Sequence, residues 1–198
     1  MRIVDPATGK AYLEKRRVRF NEPGQPRELT FSCYRRYAFF RNEQTCQWLC
    51  SALADASAKL GFQVWAYVIM PEHVHLLVYP GDVPERMPAF LQAVKEPVAR
   101  RAIRHLERAA PEWLARLTVH EGSRVRRRFW QPGGGYDRNI VRTETLRAMI
   151  DYIHANPVRR GLVSRPEDWE WSSARWHAGL RPVRLEMHPQ VLVELGRG

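Results

Sequence analysis

The chain has 198 residues, 44% hydrophobic and 27% charged, and its 32 Lys+Arg against 21 Asp+Glu give a formal net charge of +11. This length and balance suit one folded core and exclude wholesale disorder, and no apolar run reaches the ~20 residues of a membrane span. Three cysteines, Cys33, Cys46 and Cys50, make no disulfide framework and fit a reducing cytoplasm, while so large a basic excess points to a polyanion, nucleic acid before an acidic membrane surface.

Residues 1–26 read as a polar, basic lead-in without the apolar segment of a signal peptide; it carries Lys15, Arg16, Arg17 and Arg19. In Arg27–Tyr37 the positions Leu29, Phe31 and Cys33 alternate with polar ones, which predicts a first strand. Asn42 or Thr45 can cap a helix that presents Trp48, Leu49, Ala52, Leu53 and Ala56 at helical spacing and ends at Gly61. Phe62–Met70 and His73–Tyr79 are strand-like runs separated by Pro71 and Glu72, which predicts an antiparallel hairpin. A helix over about 88–109, interrupted or kinked near Pro97, follows a loop at Pro80–Pro84. Trp113–Val119 is ambiguous, and Pro132 with Gly133, Gly134 and Gly135 reads as a flexible loop. Thr143 caps a further helix to about Ala155, stopped by Asn156-Pro157. Pro166–Trp176 is aromatic and turn-like, and 177–198 form a tail. Strands and helices mix without strand–helix–strand repetition, so the expected class is α+β, an antiparallel sheet flanked by helices.

The charge is uneven. Between Val98 and Arg128 there are nine arginines and three acids. Arg100, Arg101, Arg104, Arg124, Arg126, Arg127 and Arg128, with Arg16 and Arg17 in the lead-in, are candidate phosphate contacts, because the planar guanidinium fork matches phosphate oxygens. Trp130 beside them is a candidate for stacking on bases. The same runs also read as solvated helix faces.

Two segments carry chemistry. In MPEHVHLLVY, residues 70–79, strand alternation sends His73, His75, Leu77 and Tyr79 to one face and Val74, Leu76 and Val78 into a core. Two imidazoles about 7 Å apart along a strand can reach one metal ion; two histidines on a solvated face are the plain alternative. Glu72 can add an oxygen ligand or a hydrogen bond behind a ligand. In the helix ending DYIHANPVRRG, residues 151–161, Leu146, Met149, Ile150 and Ile153 form a buried stripe, and Tyr152 and Asn156 stack at i and i+4 on its border. A tyrosine beside a metal-held phosphate can act as a nucleophile; Tyr152 alone could equally be a packing residue. Tyr136, after the three glycines, is the rival nucleophile: it is loop-borne in this reading and has Ile140 at i+4, where Tyr152 has Asn156.

The ordered set VIMPEHVHLLV, RFWQPGGGYDR, YIHANPVRRGLV and PEDWEWSS resembles the single-tyrosine members of the HUH endonuclease superfamily, most closely the REP-associated tyrosine transposases. The resemblance spans about residues 27–176. It implies a ferredoxin-like or RRM-like sheet, metal binding by His73 and His75 with Asn156 completing the site, and Tyr152 as nucleophile. It implies magnesium or manganese as cofactor; manganese suits imidazole better. It further implies cleavage and rejoining of single-stranded or hairpin DNA through a 5′-phosphotyrosine, by a cytoplasmic, nucleoid-associated monomer or homodimer. Glu72 departs from the pattern, which usually has Asn before the first histidine. The alternatives are a nucleic-acid-binding protein that keeps the fold without the chemistry, and a small-molecule metallohydrolase. The second usually needs a larger barrel, of ~250 residues.

Overall fold

The computed structural model describes residues 2–4, 11–13, 23–133 and 135–196. The lead-in candidates Arg16 and Arg17 lie outside the described residues. Strands β1 (Arg2–Val4) and β2 (Ala11–Leu13) pair antiparallel as a short ribbon. The body is a four-stranded antiparallel sheet in the order β4-β5-β3-β8, made of β3 (Arg27–Ser32), β4 (Gln63–Met70), β5 (His73–Tyr79) and β8 (Tyr136–Asn139). Helix α1 (Glu43–Leu60) joins β3 to β4, and α2 (Met87–Ala109) with α3 (Glu112–Leu117) lies between β5 and β8. That connectivity is the split βαβ of the ferredoxin-like class, as the sequence implied.

The two faces of the sheet are both buried, against different helices. Leu29, Phe31, Val74, Leu76 and Val78 point to α1 and α2, meeting Leu49, Leu53, Phe90, Val94 and Val98. Trp65, Ala66, Val68, Met70 and Leu77 point the other way, to α4 (Thr143–Arg159) and Val191 of α6 (Gln190–Gly196). A register shift between Val64 and Ala66 lets the adjacent Trp65 and Ala66 share this second face, as an extra residue in one strand does. Asn42 caps α1 through its side chain, which accepts from the Gln44 amide at 2.9 Å, and Gly61 ends it at φ 73°.

Several expectations are corrected. The first strand stops at Ser32, because Arg35 and Arg36 turn the chain at φ 52° and 55°, a left-handed conformation costing non-glycine residues about 1–2 kcal/mol each. Helix α2 runs on through Pro97. The ambiguous stretch divides into α3 and β6 (Thr118–Glu121), which forms a hairpin with β7 (Arg124–Arg127). Thr143 is the first helical residue of α4, not its cap. That helix passes through Asn156-Pro157 to Arg159, and the Asn156 amide nitrogen donates to the carbonyl of Tyr152 at 2.7 Å and, more distantly, to that of Ile153 at 3.4 Å. Pro157 cannot make the bond to Ile153 itself.

The segment after the glycines is also ordered as β8, not loop-borne. Gly135 has φ 66°, and a Cβ there would lie 2.1 Å from the Thr30 carbonyl oxygen, so only glycine lets the chain come against β3. Asp137 then forks onto Arg27 at 2.8 and 2.9 Å, both side chains buried. Beyond them, the PEDWEWSS segment hydrogen-bonds along β4, Ile69 N to Trp171 O at 2.8 Å and Ser173 N to Tyr67 O at 3.0 Å, ahead of α5 (Ala174–His177). The expected tail is part of the body, with Met187 and Val191 buried. Among the described residues no helix is long and apolar enough to cross a membrane.

Candidate active site

The β4–β5 turn delivers Glu72, His73 and His75 together, each less than a tenth exposed. His75 Nδ1 lies 2.9 Å from Thr30 Oγ1, and His73 Nδ1 lies 3.2 Å from Glu72 Oε1. The two Nε2 atoms face one another at 3.1 Å. Glu72 accepts the Nδ1 proton of His73, which leaves Nε2 of that ring a bare acceptor. When Thr30 accepts likewise from His75, two lone pairs converge on one point. Burial holds both rings in the neutral, ligating form: His75 is pushed down to about 4 by burial and by neighbouring His73, and His73 is lowered by burial against the pull of Glu72.

Glu72 is the hub behind this pair. Burial pushes its carboxyl up, but hydrogen bonds from Arg160 and Arg36 and the proximity of His73 outweigh it and hold the group down at about 2. Arg160 Nη1 donates at 2.6 Å and Arg36 Nη2 at 3.2 Å, both to the Oε1 that meets His73. Of the two roles open to Glu72, the geometry is that of a carboxylate that orients a ring from behind.

Helix α4 buries Leu146, Met149, Ile150 and Ile153, as its stripe predicts. This sets Tyr152, 38% exposed, edge-on to His75 with ring centroids 5.7 Å apart. The Arg159 guanidinium lies 5.3 Å from the Tyr152 ring centre. Asn156 is half-buried, and its hydrogen bonds run to its own helix, not to either histidine; its Oδ1 is the end turned away from those carbonyls. Among the described residues no group of three or more His, Cys, Asp or Glu side chains could hold a metal ion. The candidate donors are the two imidazole nitrogens, with the amide oxygen of Asn156 as the third that the resemblance implies. Two ligand atoms about 2.1 Å from one ion at a right angle are about 3.0 Å apart, so the 3.1 Å between the Nε2 atoms fits a shared ion.

The other candidates fall elsewhere. Arg100, Arg101 and Arg104 are exposed on α2, which packs on the sheet face opposite the histidines. Arg100 pairs with Glu96 at 2.9 Å. Arg124, Arg126 and Arg127 are exposed on β7, where Arg126 approaches Glu121 and Arg127 pairs with Glu107; Arg128 pairs with Glu121. Trp130 is half-buried, edge-on to Phe31 at 5.1 Å, and its indole donates to the Lys95 carbonyl at 2.8 Å, so packing already employs it. Sequence reasoning missed Thr30, Arg36, Arg159 and Arg160. The last two stand inside the quoted YIHANPVRRGLV; nothing local marks the first two.

No family model matches the chain. A Haemophilus influenzae protein carrying the name REP-associated tyrosine transposase is 27% identical over 141 residues, 71% of this chain and 72% of that protein. A REP-associated tyrosine transposase of Escherichia coli K12 is 26% identical over 127 residues, 64% of this chain and 63% of that protein. The solved structure of a REP-associated tyrosine transposase bound to a REP hairpin superposes with a TM-score of 0.64 at 21% identity, covering 86% of this chain and 90% of that one. The chain is similar to these transposases in sequence and shares the fold of the solved one.

Proposed function

We propose that this chain nicks and rejoins single-stranded DNA at palindromic hairpins of the REP type, through a covalent link to Tyr152. The observation that carries the reading is the Tyr152 ring set edge-on to His75, at 5.7 Å, beside two Nε2 atoms that face each other at 3.1 Å. The names of the relatives and the hairpin bound to the solved one supply the substrate class.

His73 and His75, with Asn156 Oδ1, would hold a divalent ion, magnesium or manganese, which polarises the scissile phosphate when bound. Tyr152 Oη attacks phosphorus, the bond to the 3′ oxygen breaks, and a 5′-phosphotyrosine and a free 3′-hydroxyl result. The phenol proton leaves to solvent, to which Tyr152 is open, and Arg159 places positive charge near the forming phenolate. Attack by a 3′-hydroxyl reverses the step, so the energy of the phosphodiester is kept and no nucleotide cofactor is needed. Glu72, held by Arg36 and Arg160, fixes the tautomer and direction of His73.

The test is a hairpin oligonucleotide with single-stranded flanks, incubated with manganese or magnesium and run on a denaturing gel. A covalent adduct is expected, lost in Tyr152→Phe while hairpin affinity stays within a few-fold. An adduct that survives this substitution removes Tyr152 from the role, and loss of binding with cleavage makes Tyr152 structural. One observation favours a second reading, nucleic-acid binding without chemistry: the two histidines have no third titratable ligand among the described residues. Absence of adduct with both metals, across several host repeats, would establish it.

A further inference from the structure

The residue set aside as a rival nucleophile has a different position from the one its sequence suggests. Tyr136 opens the edge strand β8 directly opposite Thr30, and Thr30 is directly opposite His75 on its other side. Directly opposed residues of antiparallel strands share a face, and the 2.9 Å contact of Thr30 Oγ1 with His75 Nδ1 places that row on the histidine face. Tyr136, Thr30 and His75 therefore run side by side across the sheet. Two strand spacings separate Tyr136 from His75, about 10 Å, within the span of one or two nucleotides.

Helix α4 packs against β4 and β5. On β8, by contrast, Tyr136 is 44% exposed, and Arg138, two residues on and so on the same face, is exposed as well. The Arg138 guanidinium lies 6.0 Å from the Tyr136 ring centre and pairs with buried Glu28 at 3.1 Å. The strand that presents the ring is firmly held, by the glycine contact at Gly135 and the buried Arg27–Asp137 fork. This is an exposed aromatic ring with a cation at its side, on the open half of a sheet face whose covered half carries the phosphate-cleaving candidates. Arg36, Arg159 and Arg160 make the rest of that neighbourhood positive.

We infer that Tyr136 is a stacking platform for one unpaired base next to the scissile phosphate, with Arg138 flanking it. The inference rests on the proposed cleavage of single-stranded DNA and names the part of the substrate this half-face takes. An aromatic ring on an open sheet is the surface that unpaired bases use in other sheet-based binders. The occupant is an unpaired nucleotide and not a peptide strand, because the exposed charges beside the ring are arginines, the carboxylates that pair with them (Glu28 and Glu72) being buried, and the row leads into the candidate phosphate site. Tyr136 does not supply the nucleophile in this arrangement; it fixes where the strand lies while Tyr152 reacts.

The experiment measures affinity for the hairpin oligonucleotide with single-stranded flanks, each flank nucleotide being replaced in turn by an abasic one. Wild type is expected to lose about tenfold in affinity at one position near the cleavage point. Tyr136→Ala is expected to lose the same factor on the intact oligonucleotide and nothing further at that position. Tyr136→Phe, which keeps the ring, should bind as wild type does. If the alanine variant folds poorly, Tyr136→Thr, a β-branched residue suited to a strand, replaces it. Abasic penalties identical in wild type and variant overturn the platform, as does a Tyr136→Phe variant as weak as Tyr136→Ala. A wild type that forms no adduct yet shows the abasic signature defeats the cleavage reading alone. A wild type that binds no flank defeats both.

Discussion

The two faces of the central sheet answer to different demands. The face toward α1 and α2 is apolar along β4 and β5, and it carries the buried fork between Arg27 and Asp137. The face toward α4 is apolar only under that helix. Beyond it come His73, His75 and Thr30, with Glu72 behind them and Tyr136 in the open. The arginines most conspicuous in the sequence lie outside the first face, on α2 and β7. The arginines that touch the candidate site, Arg36, Arg159 and Arg160, come from two other places in the chain. Linear charge density therefore measures attraction for a polyanion, and topology decides where its phosphates are read.

If the first face serves stability and the second serves chemistry, substitutions should separate accordingly. The largest effect is expected at Asp137→Ala, which removes the carboxylate forked onto buried Arg27; unfolding in urea should show a loss of about 3–5 kcal/mol. A loss under 1 kcal/mol would mean that β8 is held by its backbone alone.

Next comes acid. Burial, and then the proximity of His177, lowers His154 to about 3. The unfolded chain therefore takes up a proton there at a higher pH than the folded one. Stability is complete above about 6.5 and falls as pH drops toward 3. At pH 4.5 this one group should cost about 2–3 kcal/mol, measured as a shift of the urea midpoint that flattens in His154→Gln. An unchanged slope in that variant would assign the acid sensitivity to the other buried histidines, His73, His75 and His177.

On the chemical face, Glu72→Ala removes the support behind His73. Adduct formation should fall by about 10–100-fold, with hairpin affinity nearly kept; equal loss of both would make Glu72 a folding residue. The smallest effect belongs to the outer arginines. Replacing Arg100, Arg101 and Arg104 by alanine should leave the adduct rate at saturating DNA within about twofold and lower the salt slope of binding by up to about 3. Abolished chemistry at saturation would erase the distinction between the two sets.

Much of this was legible in the chain. Strands β3, β4 and β5 and helix α1 follow from alternation, helical spacing and end signals at Asn42 and Gly61. The His73/His75 pair and Tyr152 were visible because each lies on an element whose period is clear. What stayed hidden depends on contacts distant in sequence. β8 is written in polar residues, Tyr136, Asp137, Arg138 and Asn139, and becomes a strand because Gly135 permits close approach and Arg27 waits 110 residues earlier for Asp137. Arg36 and Thr30 reach the histidines only once the strands pair. α4 crosses a proline that sequence rules treat as an end.

That last detail bears on more than helix length. A side-chain amide has two ends of similar shape and opposite character, and in an open site it can swivel between them. The nitrogen of Asn156 is engaged with the carbonyl of Tyr152 at 2.7 Å and, at 3.4 Å, with that of Ile153, which Pro157 leaves without its usual backbone donor. The swivel is thereby set with its oxygen away from the helix. The bond back to Tyr152 decides which atom of the amide faces away from the helix. Asp in place of Asn156 would turn an oxygen toward the two carbonyls, whereas Ala in place of Pro157 would restore the backbone donor to Ile153 and leave the amide its shorter bond to Tyr152.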